Sequence, residues 1–458
     1  MNKSVTLDKI TALAKRRGFI YPSSDIYGGL ANSWDFGHYG TLLKNNIRDL
    51  WWKTFVLNRD DMIGLEASIF LNPKVWEASG HVANFTDALI DCKNCQNRTR
   101  ADQLIEEKIP DLKVEGLPVD KLTQIIKEKQ IKCPKCGQFN FTEARRFNLL
   151  FETSVGIVEE KKSKVYLRGE IAQGIFINFK NVLDSMRLRI PFGIAQIGKA
   201  FRNEVTLGQF IHRTLEFDLM EFEYFIRASE WQRIYDMWKK EMMNFALAVG
   251  LSSDALRFRE HEAHERSHYS TKTEDIEYQY PFGFKELFGI AYRTDYDLKN
   301  HSKSSGKELS YKDPQTGETF IPHCIEPTFG LSRLVGAVLF DSYREEDVNG
   351  KVRTFLKLSP KIAPVKAAVF PLQKDDKLQV KAKEIYMKLK SNFVCEFDDA
   401  GNIGKMYRRQ DEIGTPFCIT VDYDSLDDDA VTVRERDSMN QVRIKVEKLL
   451  EYIKREII

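Results

Sequence analysis

At 458 residues, 42% of them apolar and with a formal net charge of +2, the chain has material for two or three domains with separate cores, and nothing in it suggests wholesale disorder. So small a net charge excludes a globally cationic nucleic-acid binder, and any RNA contact must use local basic surface. No segment holds the roughly 18 apolar residues that a membrane span needs. The opening MNKSVTLDKITALAKRRGF lacks the apolar core of a secretory signal, and four of the seven cysteines form two C-x-x-C pairs rather than a disulfide framework; both point to the cytoplasm.

Leu7, Ile10, Leu13 and Ala14 recur at helical spacing and predict a first helix ending near Gly18. After the aromatic, Gly-rich passage YPSSDIYGGLANSWDFGHYG, residues 41–56 read as a second helix carrying Ile47, Leu50, Trp51 and Phe55. GLEASIFLNPKVWEASGH predicts an apolar strand closed by Pro73. Cys92-x-x-Cys95 and Cys133-x-x-Cys136 follow. Two close thiolate pairs complete a tetrahedral zinc site, and the Cys-Pro-Lys-Cys-Gly turn gives the bend it needs; reduced, metal-free thiols are the other reading. With four protein ligands no coordination position stays open for chemistry, so such a metal is structural. Residues 101–131, alternating Lys and Glu with apolar positions, predict a helical insertion between the pairs.

FGIAQIGKAFRNEV and LEFDLMEFEYF, joined by the polar TLGQFIHRT with its Gly208, predict two antiparallel strands and a long connection. Arg202 and Glu204 then share a face as strand positions i and i+2. A guanidinium fork suits a phosphate and an acceptor-only carboxylate suits an amino donor, as ATP offers; an exposed ion pair explains the same spacing. Ser229 and Gln232 predict a capping box for a helix carrying Trp231, Ile234, Tyr235, Trp238, Met242 and Phe245, closed by Gly250. His261, His264 and His268 cluster in HEAHERSH, but their charged neighbours and the lack of a nearby Cys argue against a metal.

TEDIEYQYPFGFKELFGIAYRTDYDL predicts two strands joined at Pro281-Phe282-Gly283, and residues 301–319 a polar loop or hairpin. In TFIPHCIEPTFGLSRLVGAVL a strand is expected to end at Glu326-Pro327, with a Gly-containing turn and then a helix bearing Arg333 early. Residues 358–364 read as a linker. Beyond it AAVFPL, a helix at 378–389, FVCEFDD, GTPFCITVD, AVTVRER and a helix at 442–453 predict a small α/β sandwich.

Phe201-Arg202-Asn203-Glu204, Glu216-Phe217 and Met220-Glu221-Phe222-Glu223 resemble motif 2 of the class II aminoacyl-tRNA synthetases, and FGIAQIGKAFRNE with GEIAQGIFINFKN resembles the homodimeric glycyl-tRNA synthetases more narrowly. The resemblance covers nearly the whole chain. It implies an α+β and α/β multidomain protein: a class II antiparallel-sheet catalytic core with helices over residues 1–362, a zinc-ribbon-like insertion at 88–147, and a C-terminal α/β anticodon-binding domain at 363–458. It implies a glycine-tRNA ligase using ATP and Mg²⁺, with tRNA(Gly) and glycine as substrates, a structural Zn²⁺ on Cys92, Cys95, Cys133 and Cys136, and a homodimer built on motif 1, where an ordinary core helix is the other reading.

Carried over position by position, the resemblance implies catalytic roles for Arg202, Glu286 and Arg333. For ATP it implies Arg202, Asn203, Glu204, His212, Arg213, Thr214, Leu215, Glu216 and Phe217, then Glu286, Leu287, Gly330, Leu331, Ser332 and Arg333. For glycine it implies Arg100, Glu170, Phe217, Asp218, Leu219, Met220 and Glu221, then Glu326, Pro327, Thr328, Phe329 and Gly330. GNIGKMYRRQDEIGTP resembles the anticodon-binding domain and implies tRNA contacts for Lys405, Tyr407, Arg408 and Arg409, charge combined with a stacking surface; a solvated basic loop is the other reading. Two places depart from the family. Leu167-Arg168-Gly169-Glu170-Ile171 stands where Leu-Arg-Pro-Glu-Thr is usual, which predicts a looser loop, and Thr328 stands for Ser. Those departures leave open a synthetase-like RNA-binding or regulatory protein without catalysis, or a synthetase for another small amino acid. No residue stands out as a general base.

Overall fold

The computed structural model describes residues 5–114, 116–157, 163–205 and 209–457. Helix α1 (Leu7–Arg16) starts where the Thr6 side chain accepts from the Lys9 amide, and its Ile10, Leu13 and Ala14 are buried as their spacing predicts. Helix α2 (His38–Trp52) continues into a π-turn at Lys53–Leu57 and buries Leu43, Ile47 and Trp51. Strand β1 (Met62–Gly64) is short. Pro73 ends no strand: it opens a short helix, Pro73–Ala78, where its missing N–H costs nothing.

The cysteine-bearing segment contributes β2 (Thr86–Asp91), β3 (Arg98–Arg100), helices α3 (Ala101–Lys108) and α4 (Val119–Glu128), and β4 (Arg145–Asn148). Its strands form a three-stranded sheet in the order β3-β2-β4, and Ile90, Leu104, Ile105, Leu122 and Ile126 make a separate small core.

Helix α5 (Ala172–Met186) precedes the hairpin β5 (Phe192–Phe201) and β6 (Glu216–Ile226), which pairs antiparallel from Glu216↔Phe201 to Phe225↔Phe192. Thr206, Leu207 and Gly208 of its connection lie outside the described residues. Helix α6 (Trp231–Ala248) follows a 3-10 turn at Ala228–Glu230 that contains Ser229. Its first turn is entered through Glu230 without a side-chain cap, so the expected capping box does not form; Gly250, at φ +94, closes it. Then come β7 (Leu256–Glu260), β8 (Lys272–Tyr280), β9 (Gly283–Thr294), α7 (Tyr296–Ser305), β10 (His323–Gly330) and α8 (Leu331–Ser342). Residues 301–305, read as loop, complete α7, and only Tyr311–Lys312 and Thr319–Phe320 make the hairpin.

Seven strands form the central sheet in the order β7-β8-β9-β10-β6-β5-β1, antiparallel except for β1 on β5. One face is packed by α2, α6 and α8 through an aromatic cluster. Phe222 meets Trp238 at 4.6 Å, Phe288 meets Phe329 at 4.7 Å and Trp51 meets Phe329 at 5.7 Å between ring centroids. Such pairs add about 0.5–1.5 kcal/mol each beyond their area burial. On the opposite face α5 covers Phe192, Ile194 and Phe225, and the rest of that face carries the site.

The last hundred residues contribute β11 (Ala367–Pro371), α9 (Asp376–Lys390), β12 (Cys395–Phe397), α10 (Ile403–Ile413), β13 (Phe417–Val421), β14 (Ala430–Glu435), β15 (Gln441–Lys445) and α11 (Val446–Ile457). The expected helix over 442–453 is therefore a strand for its first four residues. The sheet order is β12-β11-β13-β14-β15, with the first three strands parallel. Residues 358–364 are no loose linker: Leu358, Ile362 and Ala363 are buried in the main core, and Asn46 Nδ2 donates to the Ile362 and Ala363 carbonyls at 3.1 and 2.9 Å.

Candidate active site

Strand alternation sorts the side chains of β6 and β10. Met220 and Phe222 enter the aromatic core, while Leu219 and Glu221 face the other way. On β10, Phe329 joins the core and Glu326 and Thr328 face the cavity. Register places Thr328 between Glu221 on one side and Gly289 on the other. Contrary to the sequence reading, β10 does not stop at Glu326-Pro327 but runs through to Gly330, and α8 begins at once. The β6–β10 ladder pairs Glu221 with Thr328 and resumes at Tyr224 with Ile325, the gap falling where Pro327 has no N–H to give.

Two chambers open on this face and share Arg202, Leu219, Glu286 and Thr328. The first brings together three arginines, Arg202, Arg213 and Arg333, and three carboxyls, Glu204, Asp218 and Glu286. Arg333 Nη1 lies 2.8 Å from Glu286 Oε2, and its Nε donates to the His212 carbonyl at 3.2 Å. Arg202 follows β5 rather than lying in it; its Nε donates to the Gly169 carbonyl at 3.1 Å and its guanidinium sits over the rings of Phe85 and Phe217. Glu204, also beyond the strand end, accepts from Arg213 at 3.3 Å. Enclosure raises the Glu286 pKa, but Arg333 beside it outweighs this and holds the group near 2. His212 is buried edge-on to Tyr280 and Phe282 with neither ring nitrogen hydrogen-bonded, and burial keeps its pKa well below the usual histidine range.

Carboxylates dominate the second chamber, of about 570 Å³. Glu170 is 6% exposed; its Oε2 is 3.1 Å from His81 Nε2 and its Oε1 accepts from Gln173 at 2.8 Å. Burial raises its pKa, but His81 and Arg293 overcome this and lower it. Arg293, fully buried, binds Asp297 at 2.8 and 2.9 Å and Glu326 at 2.8 Å, and stacks 3.6 Å from the Tyr269 ring centroid. Glu326 is nevertheless pushed up to about 7, because burial and Glu170 outweigh that cation. Glu221 Oε1 has no hydrogen-bond partner, and burial beside Glu326 raises its pKa well above the carboxylate range. Arg100 lines the rim, 3.2 Å from Asp87.

The altered loop is not loose. A Cβ on Gly169 would come within 2.8 Å of the Phe85 ring, so Phe85 fills the space a proline would take, and Ile171 is buried against Ala200 and Leu219.

The four thiols of Cys92, Cys95, Cys133 and Cys136 lie within 4.8 Å of one another, Cys92 to Cys136 at 3.6 Å and Cys95 to Cys133 at 3.7 Å. Zn–S bonds of about 2.3 Å in a tetrahedron put sulfurs about 3.8 Å apart, so the four fit a zinc ion. Both turns are alike: the Gln96 amide donates to the Cys92 carbonyl and the Gly137 amide to the Cys133 carbonyl, Gln96 and Gly137 both at positive φ. His261 binds Asp275 and His268 the Ser79 carbonyl, and no histidine metal cluster occurs among the described residues.

In sequence comparison the chain is 53% identical to the glycine–tRNA ligase of Caldanaerobacter subterraneus subsp. tengcongensis, all of each chain being covered. The enzyme of the same name from Clostridium acetobutylicum is 51% identical, again over all of both, and that from Geobacillus thermodenitrificans 50%, over 99% of this chain and 98% of its own. The chain belongs to the glycine–tRNA ligase family. An anticodon binding domain model matches residues 366–456. The crystal structure of prolyl-tRNA synthetase from Cryptosporidium parvum, complexed with L-proline and AMP, has this fold: TM-score 0.63, 15% identity, 99% of this chain and 75% of that one.

Of the residues the family resemblance singled out, Arg202, Glu204, His212, Arg213, Thr214 and Phe217 meet at the first chamber, with Asp218, Gly330, Ser332 and Arg333. Others lie elsewhere. Met220, Leu287, Phe329 and Leu331 are packed into the main core, Glu216 pairs on the surface with Lys199 at 2.9 Å, and Asn203, Leu215 and Pro327 line neither chamber. On α10 Tyr407 turns inward, its hydroxyl 2.6 Å from Thr420 and its ring against Phe370, and Arg409 is held by Asp398, which leaves Lys405 and Arg408 open. The sequence reading missed His81, Gln173 and Arg293. Each has one partner close in the chain, Ser79 for His81, Glu170 for Gln173 and Asp297 for Arg293, but the contacts that bring them to the site, His81 to Glu170, Gln173 to Asp297 and Arg293 to Glu326, join residues distant in sequence.

Proposed function

We propose that the protein activates glycine with ATP and transfers it to the 3′ end of tRNA(Gly). The observation that carries this is the pair of connected chambers, one gathering Arg202, Arg213 and Arg333 and one lined mainly by carboxylates, meeting at Thr328 and Arg202. Arg202 and Arg333 hold the ATP phosphates by their planar forks, with Glu204, His212 and Phe217 at the rest of the nucleotide. Glu170, Glu221 and Glu326 surround the glycine ammonium. Glycine's carboxylate oxygen attacks the α-phosphorus, pyrophosphate leaves, and the ribose hydroxyl at the tRNA end then takes the glycyl group from the adenylate. The side chains contribute alignment and charge neutralisation.

Glycine offers no side chain to read, so selectivity rests on exclusion. Thr328, beside Gly289 in the sheet, places its methyl where a larger amino acid needs room, and no editing step is required. The ionised Glu286, half open to the first chamber, fits a Mg²⁺ ion, which neutralises polyphosphate charge when bound. The four cysteines fit a structural Zn²⁺. We assign residues 1–362 to the catalytic domain, with its insertion at 88–147, and 363–458 to anticodon binding through Lys405 and Arg408. A homodimer working in the cytoplasm completes the reading; free thiols at all seven cysteines accord with a reducing compartment, and no described helix is long and apolar enough to cross a membrane.

The test is amino-acid-dependent ATP–pyrophosphate exchange with Mg²⁺, run separately with glycine, alanine and serine. Exchange with glycine alone supports the reading; exchange with none, on folded and metal-replete protein, overturns it in favour of an RNA-binding protein without catalysis.

A further inference from the structure

Beneath the carboxylate chamber lies a fourth acidic side chain that the proposed chemistry does not use. Glu223 is fully buried, lines neither chamber, and stands two residues beyond Glu221 on the same face of β6. The register of β6 on β10 sets it opposite Glu326. One oxygen each from Glu221, Glu223 and Glu326 lies within 4.8 Å of the other two. Glu223 Oε2 accepts from the Cys324 thiol at 2.8 Å, and its Oε1 has no hydrogen-bond partner.

The three carboxyls have unequal access to positive charge. Glu326 has Arg293 at 2.8 Å, and Glu221 faces the chamber where an ammonium can reach it. Among the described residues Glu223 has as hydrogen-bond donor a thiol, a weak one, and it has no solvent. An ionised carboxylate so placed is far costlier than a neutral one, and three like charges at this separation cannot all persist.

We infer that Glu223 is a buried carboxylic acid whose proton is donated within the Glu221–Glu223–Glu326 cluster, a positioning residue that keeps the three carboxyls from all being charged at once and holds Glu221 toward the substrate ammonium. No bond forms or breaks in this role. The titratable groups around it are Glu221 on its own strand, Glu326 and Cys324 on β10, and Arg293 on β9; burial and Glu326 push the Glu223 pKa up and Arg293 opposes them. The role in binding rests on the function proposed above, whereas the protonation does not.

Infrared difference spectra and exchange kinetics on the full-length protein test it with two variants. Glu223→Gln keeps the shape, neutrality and a donor; Glu223→Met keeps the length and neutrality without the donor. At pH 8, without substrates, the wild-type minus E223Q spectrum is expected to show a carboxylic-acid C=O band lost in the variant. The KM for glycine is expected to stay within about threefold of wild type in E223Q and to rise about tenfold or more in E223M, with kcat changed less. Loss of a carboxylate rather than an acid band, or a tenfold KM rise in E223Q equal to that in E223M, overturns the inference. Should neither variant fold, the glycine-saturated wild-type protein at pH 8 decides it: Glu221 is then paired with the ammonium and Glu326 with Arg293, so a remaining deuterium-sensitive acid band supports a protonated Glu223 and its absence overturns it. Failure of glycine to support exchange in the wild-type protein would sink the functional reading alone, because the substrate-free spectra still judge the proton.

Discussion

Arg333 Nη1 and Glu286 Oε2 are 2.8 Å apart in the wall of the first chamber, one brought by the first turn of a helix and the other by a strand of the central sheet. The pair presets both groups before a nucleotide arrives: Glu286 stays ionised and Arg333 is kept from folding back on bulk water. Arg333→Lys preserves the charge but not the planar fork. The variant is expected to raise the KM for ATP in pyrophosphate exchange about 10- to 100-fold, corresponding to about 1.5–3 kcal/mol for lost charge-assisted hydrogen bonds, with little change in thermal midpoint.

His212 makes the same chamber acid-sensitive. Its pKa is depressed in the folded state by burial and by Arg333, so below the ordinary value near 6.5 the unfolded chain binds a proton that the folded chain refuses. Stability therefore falls as the pH drops from about 6.5 toward the folded value, by up to about 1.4 kcal/mol per pH unit from this one group. Denaturant midpoints of wild type and His212→Phe at pH 5, 6 and 7 check it. The variant should lose that part of the slope; identical slopes would mean that His212 is not the group responsible.

How much of this was legible in the sequence depends on how far apart the partners lie. The Cys92/Cys95 and Cys133/Cys136 turns, the hairpin of Phe192–Phe201 with Glu216–Ile226, and in the last hundred residues the strands at Ala367–Pro371, Phe417–Val421 and Ala430–Glu435 with the helix after the first of them are written in local spacing and appear as read, whereas the helix Ile403–Ile413 and the strand Gln441–Lys445 were not foreseen. Errors came where one local signal had two outcomes. Pro73 begins a helix instead of ending a strand, and Pro327 sits inside β10 because the sheet tolerates a single missing ladder bond. Tyr407 looks like a stacking residue in sequence and is a packing residue in the fold. Family resemblance supplied Glu170, Glu221 and Glu326, but their charge state depends on Arg293 and His81, which only the tertiary fold brings to them.

Arg293 is therefore expected to carry an outsized share of stability. Fully buried, it answers Asp297 and Glu326, with Glu170 at 3.6 Å, and its removal leaves those carboxylates without their cation. Arg293→Met should cost about 3–5 kcal/mol in urea unfolding. Adding Glu326→Gln should restore part of that loss, a coupling that a double-mutant cycle measures.

The cysteine cluster closes the insertion independently of the central sheet, since its small core shares no residue with the main one. Cys136→Ser is expected to abolish bound zinc by elemental analysis and expose residues 88–147 to limited proteolysis. The sheet should survive, with near-wild-type far-ultraviolet circular dichroism; global unfolding would show the metal holding more than the insertion.

On the C-terminal domain, α10 divides its charges between two tasks. Asp411, held within the domain by Arg434 at 2.9 Å, binds Arg353 at 2.7 Å, and Glu412 binds Arg17 at 2.6 Å, so these two carboxylates fasten the domain to the body that carries the sheet. Lys405 and Arg408 are exposed on the same helix. Cations that neutralise RNA phosphates release counterions, so reversing both charges should weaken tRNA binding in a salt-dependent way. Lys405→Glu combined with Arg408→Glu is expected to raise the KM for tRNA in aminoacylation and flatten the slope of log affinity against log salt by about one for each phosphate no longer neutralised. Glycine-dependent pyrophosphate exchange, which needs no tRNA, should be unchanged. If exchange fell with aminoacylation, the charges on α10 would be serving the junction between the domains rather than the RNA.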